Sequence, residues 1–396
     1  MLTTLQKDAT ERMIARVHAI GPTLRDNAAR ADKERRVPAD SIAALETTGV
    51  FGINTLAVNG GAEGGARMLL DVTSTIGQYC PNSAWISVIS SVSSLLPLRF
   101  PESARARIFA GRQPVKMASV IVAMGSKVVR EGDGYRVNGE WPFGSNILNA
   151  EWAIGATALD EGDGSAPRPG FVLLHKDQYT IKDTWYTIGM RGTGSNNFVA
   201  ENQWVPADQV VDADTVLGPA LEAREDAHFL QRLTPVSMFP TVIISGPLGG
   251  AKAALDMVGE ISAKRPITYS RYHPQSTSGA FVQGIGAAKA KIDTAEMCLQ
   301  RAADMIDTAA AGSTPMTVAE RASVRNCCAH ATRNLADAMN DLAWLHGTAL
   351  FAEANPLGRL WRDVNTGVRH AIAASPLCYE IGGAGFLGIE QPTPLV

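Results

Sequence analysis

The chain predicts an α+β fold in the order helix, sheet, helix. Three observations carry this. Apolar residues keep helical spacing to about residue 113. From 114 to 215 short β-rich runs alternate with turn residues. From 216 helical spacing returns, and residues 320–346 contain neither Gly nor Pro. A chain of 396 residues is too long for one simple core. We therefore expect an N-terminal helical domain over 1–113, a central antiparallel β-sheet domain over 114–215 and a C-terminal helical bundle domain over 216–396.

The elements follow in order. A first helix is predicted from about Thr10 to Ala31. A second starts after Val37-Pro38-Ala39-Asp40, where Pro38 and Asp40 are start signals, and Gly49 stops it. Segments 66–79 and 82–97 read as the third and fourth. The β zone offers VKMASVIVA, SKVVRE, YRVNGEW, EWAIGATAL, GFVLLH and NNFVAENQWV, with Asp133-Gly134 and Asn138-Gly139 as tight-turn signals. The Gly/Asp/Pro-rich stretch 160–170 reads as an exposed loop. Further on, Ile292, Ala295, Leu299, Ala302 and Ile306 form one helical stripe. Long helices of this kind pack as a bundle, often against other subunits.

Composition narrows the function. Apolar residues make up 45% and charged residues 19%, a globular balance. A net charge of −3 calls for neither nucleic acid nor an anionic membrane. The longest apolar stretches, such as 85–98, are too short and too serine-rich to span a bilayer. The charged N-terminal segment lacks a signal-peptide core, so a cytoplasmic location is expected. The five cysteines show no CxxC and read as free buried thiols, with no metal site.

No GxGxxG follows a predicted strand, and GxxxxGK[ST], HExxH and GxSxG are absent. Two segments of the β zone stand out instead. Trp141-Pro-Phe143-Gly-Ser145 offers an aromatic plate, a hydroxyl and an amide-rich bend. Ile188-Gly-Met-Arg-Gly-Thr193-Gly-Ser195 packs three glycines, a threonine and a serine into eight residues. Such a loop can cradle a phosphate or a ring edge, or serve as a plain connector.

These segments resemble the acyl-CoA dehydrogenase superfamily. IGMRGTGSNNFVAENQWVPADQVV is similar to its β-domain signature, in which G-R-G-(T/S) leads into a strand ending in V-P. LETTGVFGINTLAVNGGAEGG resembles its N-terminal entry, and LGRLWRDVNTGVRHA its C-terminal R-L-x-R-D helix. The resemblance covers nearly the whole chain. It implies an N-terminal helical domain, a central β domain and a C-terminal four-helix bundle, in a homotetramer, with flavin between the β domain and the bundle.

The branch is read from the base position. Dehydrogenases carry a glutamate eight residues after the Asp of R-D. Counting from Asp363, that position is Ala371, and His370 precedes it. The R-x-x-F-G motif is also missing around Arg265 and Arg271, in AKRPITYSRYHP. A histidine here, with Trp85 in PNSAWISV, resembles the flavin-dependent monooxygenases of this fold, the two-component (group D) type. Their phenol-hydroxylating members read F-S-S-G-x-D-H-x-x-W, whereas Leu148 and Asn149 stand here in place of Asp-His. From the residues alone, Arg359, Asp363, Thr366 and His370 share one face of a helix bounded by Pro356 and Pro376, which fits either a tuned histidine or a solvated polar face.

The resemblance implies an oxygenase component that takes reduced FMN or FAD from a separate flavin reductase by diffusion. Oxygen adds to give a C4a-hydroperoxyflavin, which must be kept from water. The product is an oxygenated small aromatic or heteroaromatic substrate. Trp141, Phe143, Ser145, Thr193 and Ser195 are the cofactor-binding candidates, with Arg271. Trp85 and His370 face the substrate, and His370 and Ser145 are the catalytic candidates. A divergent acyl-CoA dehydrogenase, an N-oxidising (nitrososynthase-like) or S-oxidising enzyme, and a non-catalytic flavin-fold protein are the alternatives.

Overall fold

A computed structural model describes residues 4–312 and 314–396. Five helices lead: α1 (Thr4–Glu34), α2 (Ala39–Thr48), α3 (Ala66–Gly77), α4 (Pro81–Ser93) and α5 (Glu102–Ile108). The sequence signals at α2 act as expected. Pro38 precedes it in extended conformation, and Gly49 ends it at φ 82, a left-handed geometry that a Cβ disfavours.

Eight strands follow: β1 (Met117–Val120), β2 (Lys127–Glu131), β3 (Gly134–Trp141), β4 (Trp152–Asp160), β5 (Arg168–His175), β6 (Thr180–Lys182), β7 (Asn197–Pro206) and β8 (Val210–Asp212). They form one sheet in the order β6-β7-β3-β2-β4-β5-β8, with β1 also on β4. The sheet is mixed rather than antiparallel, because β1 and β2 both run parallel to β4. Asn138-Gly139 is no turn either. It lies inside β3, where the register with β7 shifts. A Cβ on Gly139 would stand 2.5 Å from the Ser126 Cβ, so the glycine serves close approach of the backbone. Gly132 at φ 62 makes the β2–β3 turn with Asp133.

Strand periodicity divides the sheet between two cores. Ile154, Ala156, Phe171 and Leu173 join a core shared with the helices. Their neighbours Ala153, Val172 and Leu174 join Trp141, Phe198 and Tyr135 in a second core on the opposite face. Burial on both faces explains why EWAIGATAL and GFVLLH read as continuous apolar runs.

The remaining helices are α6 (Ala213–Leu217), α7 (Phe229–Arg232), α8 (Pro235–Val242), α9 (Ser245–Ser262), α10 (Gly279–Gly312), α11 (Val318–His346), α12 (Pro356–Gly367) and α13 (Ser375–Leu387). The Ile292–Ile306 stripe of α10 is fully buried. α11 opens on a capping box between Thr317 and Glu320. α9, α10, α11 and the α12–α13 pair pack together, and α9 also packs on α3 and α4. The first and last helical zones therefore share one continuous core.

One helix was expected to carry Arg359 through His370, but α12 stops at Gly367. His370 lies in the turn that leads to α13. Gly367 permits close packing there, since a Cβ would stand 2.7 Å from Pro247 Cγ and 3.4 Å from the Trp85 ring. Among the described residues no helix is long and apolar enough to cross a membrane, and no His/Cys/Asp/Glu group could hold a metal ion.

Candidate active site

The bend after β3 is built under backbone tension. Phe143 and Asn146 both hold positive φ, 60 and 67, which non-glycine residues adopt only when their surroundings impose it. The surroundings are explicit. The Gly144 N–H donates to the Asn196 carbonyl at 3.0 Å, and the Asn146 amide donates to the Met117 carbonyl at 3.0 Å. The outcome is an exposed Phe143 ring, edge-on to Trp185 at 6.2 Å, and a buried Ser145 hydroxyl.

Trp141 does not share this face. Its indole is completely buried, stacked on Phe198 at 4.9 Å, and its N–H is spent on the Ala156 carbonyl at 2.8 Å. Trp141, the last residue of β3, points into the sheet core, whereas the left-handed bend at Phe143 just beyond the strand leaves that ring outside, so Trp141 is no flavin plate.

The glycine-rich loop is pinned by a carboxylate. Asp363 of α12 accepts the Met190 N–H at 2.6 Å with one oxygen and the Asn82 amide of α4 at 2.9 Å with the other. Met190 holds φ 52 in consequence. Gly189 lets the loop lie against α12, where a Cβ would stand 2.2 Å from the Arg362 carbonyl oxygen. Burial pushes the Asp363 carboxyl up to about 6, against the Met190 hydrogen bond, which lowers it. Asp363 thus fastens the loop and does not orient His370. Thr366 likewise lies at Gly189. Asn196 adds a second fastening, its side-chain oxygen accepting the Thr184 and Trp185 N–H groups at 2.9 and 3.0 Å.

Three hydroxyls meet at this junction. Ser145 Oγ lies 2.7 Å from Ser195 Oγ, which lies 2.8 Å from Thr193 Oγ1. Thr193 Oγ1 donates to the Met190 carbonyl at 2.8 Å. At the other end Trp85 of α4 donates its indole N–H to Ser145 Oγ at 3.0 Å. The same indole lies 5.7 Å, centroid to centroid, from the His370 imidazole. Ser145, Thr193, Ser195, Trp85 and His370, which lie far apart along the chain, are thereby joined in one cluster.

His370 keeps an open face to solvent while protein crowds the rest of its ring. Loss of hydration lowers its pKa to about 4. Water at the open face offsets part of this, and the direction leaves the ring neutral at pH 7. Its Nδ1 accepts the Ile372 N–H at 3.4 Å, which places the proton of the neutral ring on Nε2. His370 therefore offers an N–H donor.

Arg271 lies apart from the cluster within this chain. It is exposed, with its guanidinium 5.6 Å above the Tyr272 ring. Leu148 and Asn149 are structural. Leu148 packs where a Gly194 Cβ would stand 2.4 Å away, and the Asn149 amide donates to the Asn146 side-chain oxygen at 3.2 Å. Sequence reading missed Asn82, Met190 and Asn196 as fastenings, since nothing in their spacing announces tertiary hydrogen bonds.

A helical frame thus surrounds a mixed sheet, with a cluster of hydroxyl and aromatic side chains at their junction. The acyl-CoA dehydrogenase C-terminal domain family matches residues 242–375. The structure superposes on XiaF from Streptomyces sp., solved in complex with FADH2 and glycerol, with a TM-score of 0.95 at 32% identity over 99% of this chain and 98% of that one. The oxygenase subunit HsaA of a flavin-dependent monooxygenase from Rhodococcus jostii is 29% identical over 96% of this chain and 100% of its own length. The oxygenase component of an FADH2-dependent resorcinol hydroxylase from Rhizobium sp. is 27% identical over 96% and 95%. The chain belongs to the flavin-dependent monooxygenase branch of the acyl-CoA dehydrogenase superfamily. It is the oxygenase component of a two-component enzyme.

The residues present fit a flavin. Phe143 is an aromatic surface left uncovered by the fold. Beside it the hydroxyl cluster can meet the polar edge of a planar heteroaromatic ring, and Trp85 adds an apolar wall.

Proposed function

We propose that this oxygenase uses reduced FAD from a separate reductase to oxygenate a small aromatic or heteroaromatic substrate, with Ser145 and His370 as the groups nearest the chemistry. The observation that carries the reading is Trp85, whose indole touches both Ser145 and His370. One side chain thus joins the hydroxyls suited to a flavin edge to the neutral histidine suited to a substrate.

Bound reduced flavin supplies the electrons that activate O2. Phe143, Ser145, Thr193 and Ser195 would hold its ring. His370 would hold the substrate's oxygen or ring heteroatom through its Nε2 hydrogen. Trp85 would exclude water, which protects any reactive oxygen species from waste. FAD is favoured over FMN by the two relatives whose names carry FADH2. An indole-3-acetate monooxygenase from Pseudomonas putida, 24% identical, supports extending the substrate class to heteroaromatics.

The assembly we propose is a cytoplasmic homotetramer. All five thiols are free, which suits a reducing compartment. Phe386, Leu387 and Ile389 at the end of α13 are exposed, as are Trp344 and Phe351. Such apolar surface is suited to burial against further copies.

Anaerobic titration with reduced FAD and reduced FMN, followed by mixing with 18O2 and aromatic candidates, tests this. Tighter binding of reduced FAD and one labelled oxygen atom in the product are expected. Stoichiometric oxidised FAD retained through purification, together with fast turnover of an acyl-CoA, would overturn it.

A further inference from the structure

The hydroxyl cluster has a fixed direction, which follows from counting protons. Met190's carbonyl oxygen has no proton, so the 2.8 Å contact from Thr193 Oγ1 requires the threonine hydrogen between them. That carbonyl also receives the Trp185 indole N–H at 2.9 Å and the Thr193 N–H at 3.2 Å, which marks it as the sink of the network. With its only proton committed, Thr193 must accept from Ser195 at 2.8 Å. Ser195 has then spent its proton and must accept from Ser145 at 2.7 Å. Ser145, finally, accepts the Trp85 N–H at 3.0 Å. Protons therefore run one way, from Trp85 through Ser145, Ser195 and Thr193 to Met190. Asp363 holds the far end still by taking the Met190 N–H at 2.6 Å.

Every donor in this chain is spent inside the protein. What Ser145 has left is one lone pair. A ligand that brings an N–H to Ser145 gains a hydrogen bond at no cost. A ligand that brings a bare lone pair meets oxygen without a proton and is repelled, unless the whole chain is disrupted. The two redox forms of a flavin differ at this point. The reduced ring carries a hydrogen on N5, where the oxidised ring has only a lone pair.

We infer that the Trp85–Ser145–Ser195–Thr193–Met190 chain is a polarity filter, which makes Ser145 an acceptor and so selects reduced over oxidised flavin. Thr193 and Ser195 act as specificity-determining positions by setting the direction of the Ser145 proton. The inference rests on the reading above, in which Ser145 meets the flavin edge.

The test is anaerobic equilibrium titration of the full chain with oxidised and with reduced FAD, in wild type, Ser145→Ala, Thr193→Val and Ser195→Ala. Wild type should favour reduced FAD. Thr193→Val removes the acceptor of the Ser195 proton, which can then turn to Ser145 and release the Ser145 proton outward. Ser195→Ala releases it directly. Each should lower the ratio of oxidised to reduced dissociation constants by about threefold to tenfold, the worth of one net hydrogen bond. A merely structural loss would weaken both forms by one factor and leave the ratio alone. An unchanged ratio in Thr193→Val and Ser195→Ala, or no preference in wild type, overturns the filter. Ser145→Ala separates the two levels. If it moves neither constant, Ser145 does not meet the flavin and the underlying reading fails. If it weakens reduced FAD while the other two variants keep the wild-type ratio, only the filter fails.

Discussion

His370 shows how much a single residue's neighbours decide. Protein crowding one side of the ring removes part of its hydration and lowers its pKa, which favours the neutral form, and its proton is on Nε2 because the Ile372 N–H occupies Nδ1. A donor held beside Trp85 can orient a substrate, and a substrate-positioning or acid–base group is typically worth about 10²–10⁴-fold in rate. His370→Ala should therefore lower product formation by that order while flavin binding and folding persist. Product and hydrogen peroxide are to be assayed separately, with reduced flavin, oxygen and substrate supplied. Peroxide should persist or rise as product falls. Unchanged coupling would show a solvated histidine with no role. Trp141 makes the same point in reverse. Sequence ranks it with Phe143, yet the end of β3 buries one ring in the sheet core and the left-handed bend beyond it exposes the other.

At the scale of elements, the site depends on how α12 meets the glycine-rich loop. Asp363 makes that junction while fully buried, and its carboxyl is pushed up from 3.8 to about 6 by loss of hydration. The folded chain then holds this proton at pH values where the unfolded chain has released it. The stability it contributes is complete below about 3.8 and is lost as pH rises through about 6. Asp363→Asn is uncharged throughout and escapes that loss. The difference in thermal midpoint, variant minus wild type, should rise between about pH 4 and about pH 6.5. A flat difference would mean that Asp363 stays ionised over the whole range. Asp363→Ala, by contrast, leaves the Met190 N–H and the Asn82 amide without partners, a cost of about 1–3 kcal/mol for each buried group. Asp307 uses the same device elsewhere, its buried carboxylate of α10 capping α3 through the Ala66 and Arg67 N–H groups at 2.7 and 3.0 Å.

At the scale of the whole molecule, the exposed apolar end of α13 leads to the last prediction. Phe386→Asp with Ile389→Asp should lower the mass measured by light scattering, since charge cannot be buried in an apolar contact without a partner. A monomeric wild type would remove the basis of the tetramer. The long elements were legible in the sequence because period and punctuation are local. Pro38 and Gly49 bound α2, and the α10 stripe points inward as its spacing requires. The family's motif order likewise reached the fold and the oxygenase class. Other features depend on contacts between distant segments. Whether Asn138-Gly139 is a turn or a bulge depends on β7, and strand direction in the sheet depends on which neighbour β1 and β2 find. Spacing placed His370 on the α12 helix, but Gly367, pressed between Pro247 and Trp85, belongs to the segment where that helix ends. The sequence by itself therefore determined the elements, their order and the residue types available for flavin chemistry, because these follow from local backbone preference and motif. Only the tertiary structure decided which hydroxyls touch and which way their protons point, because a hydrogen bond's direction is settled by the donors and acceptors that distant segments bring to its two ends.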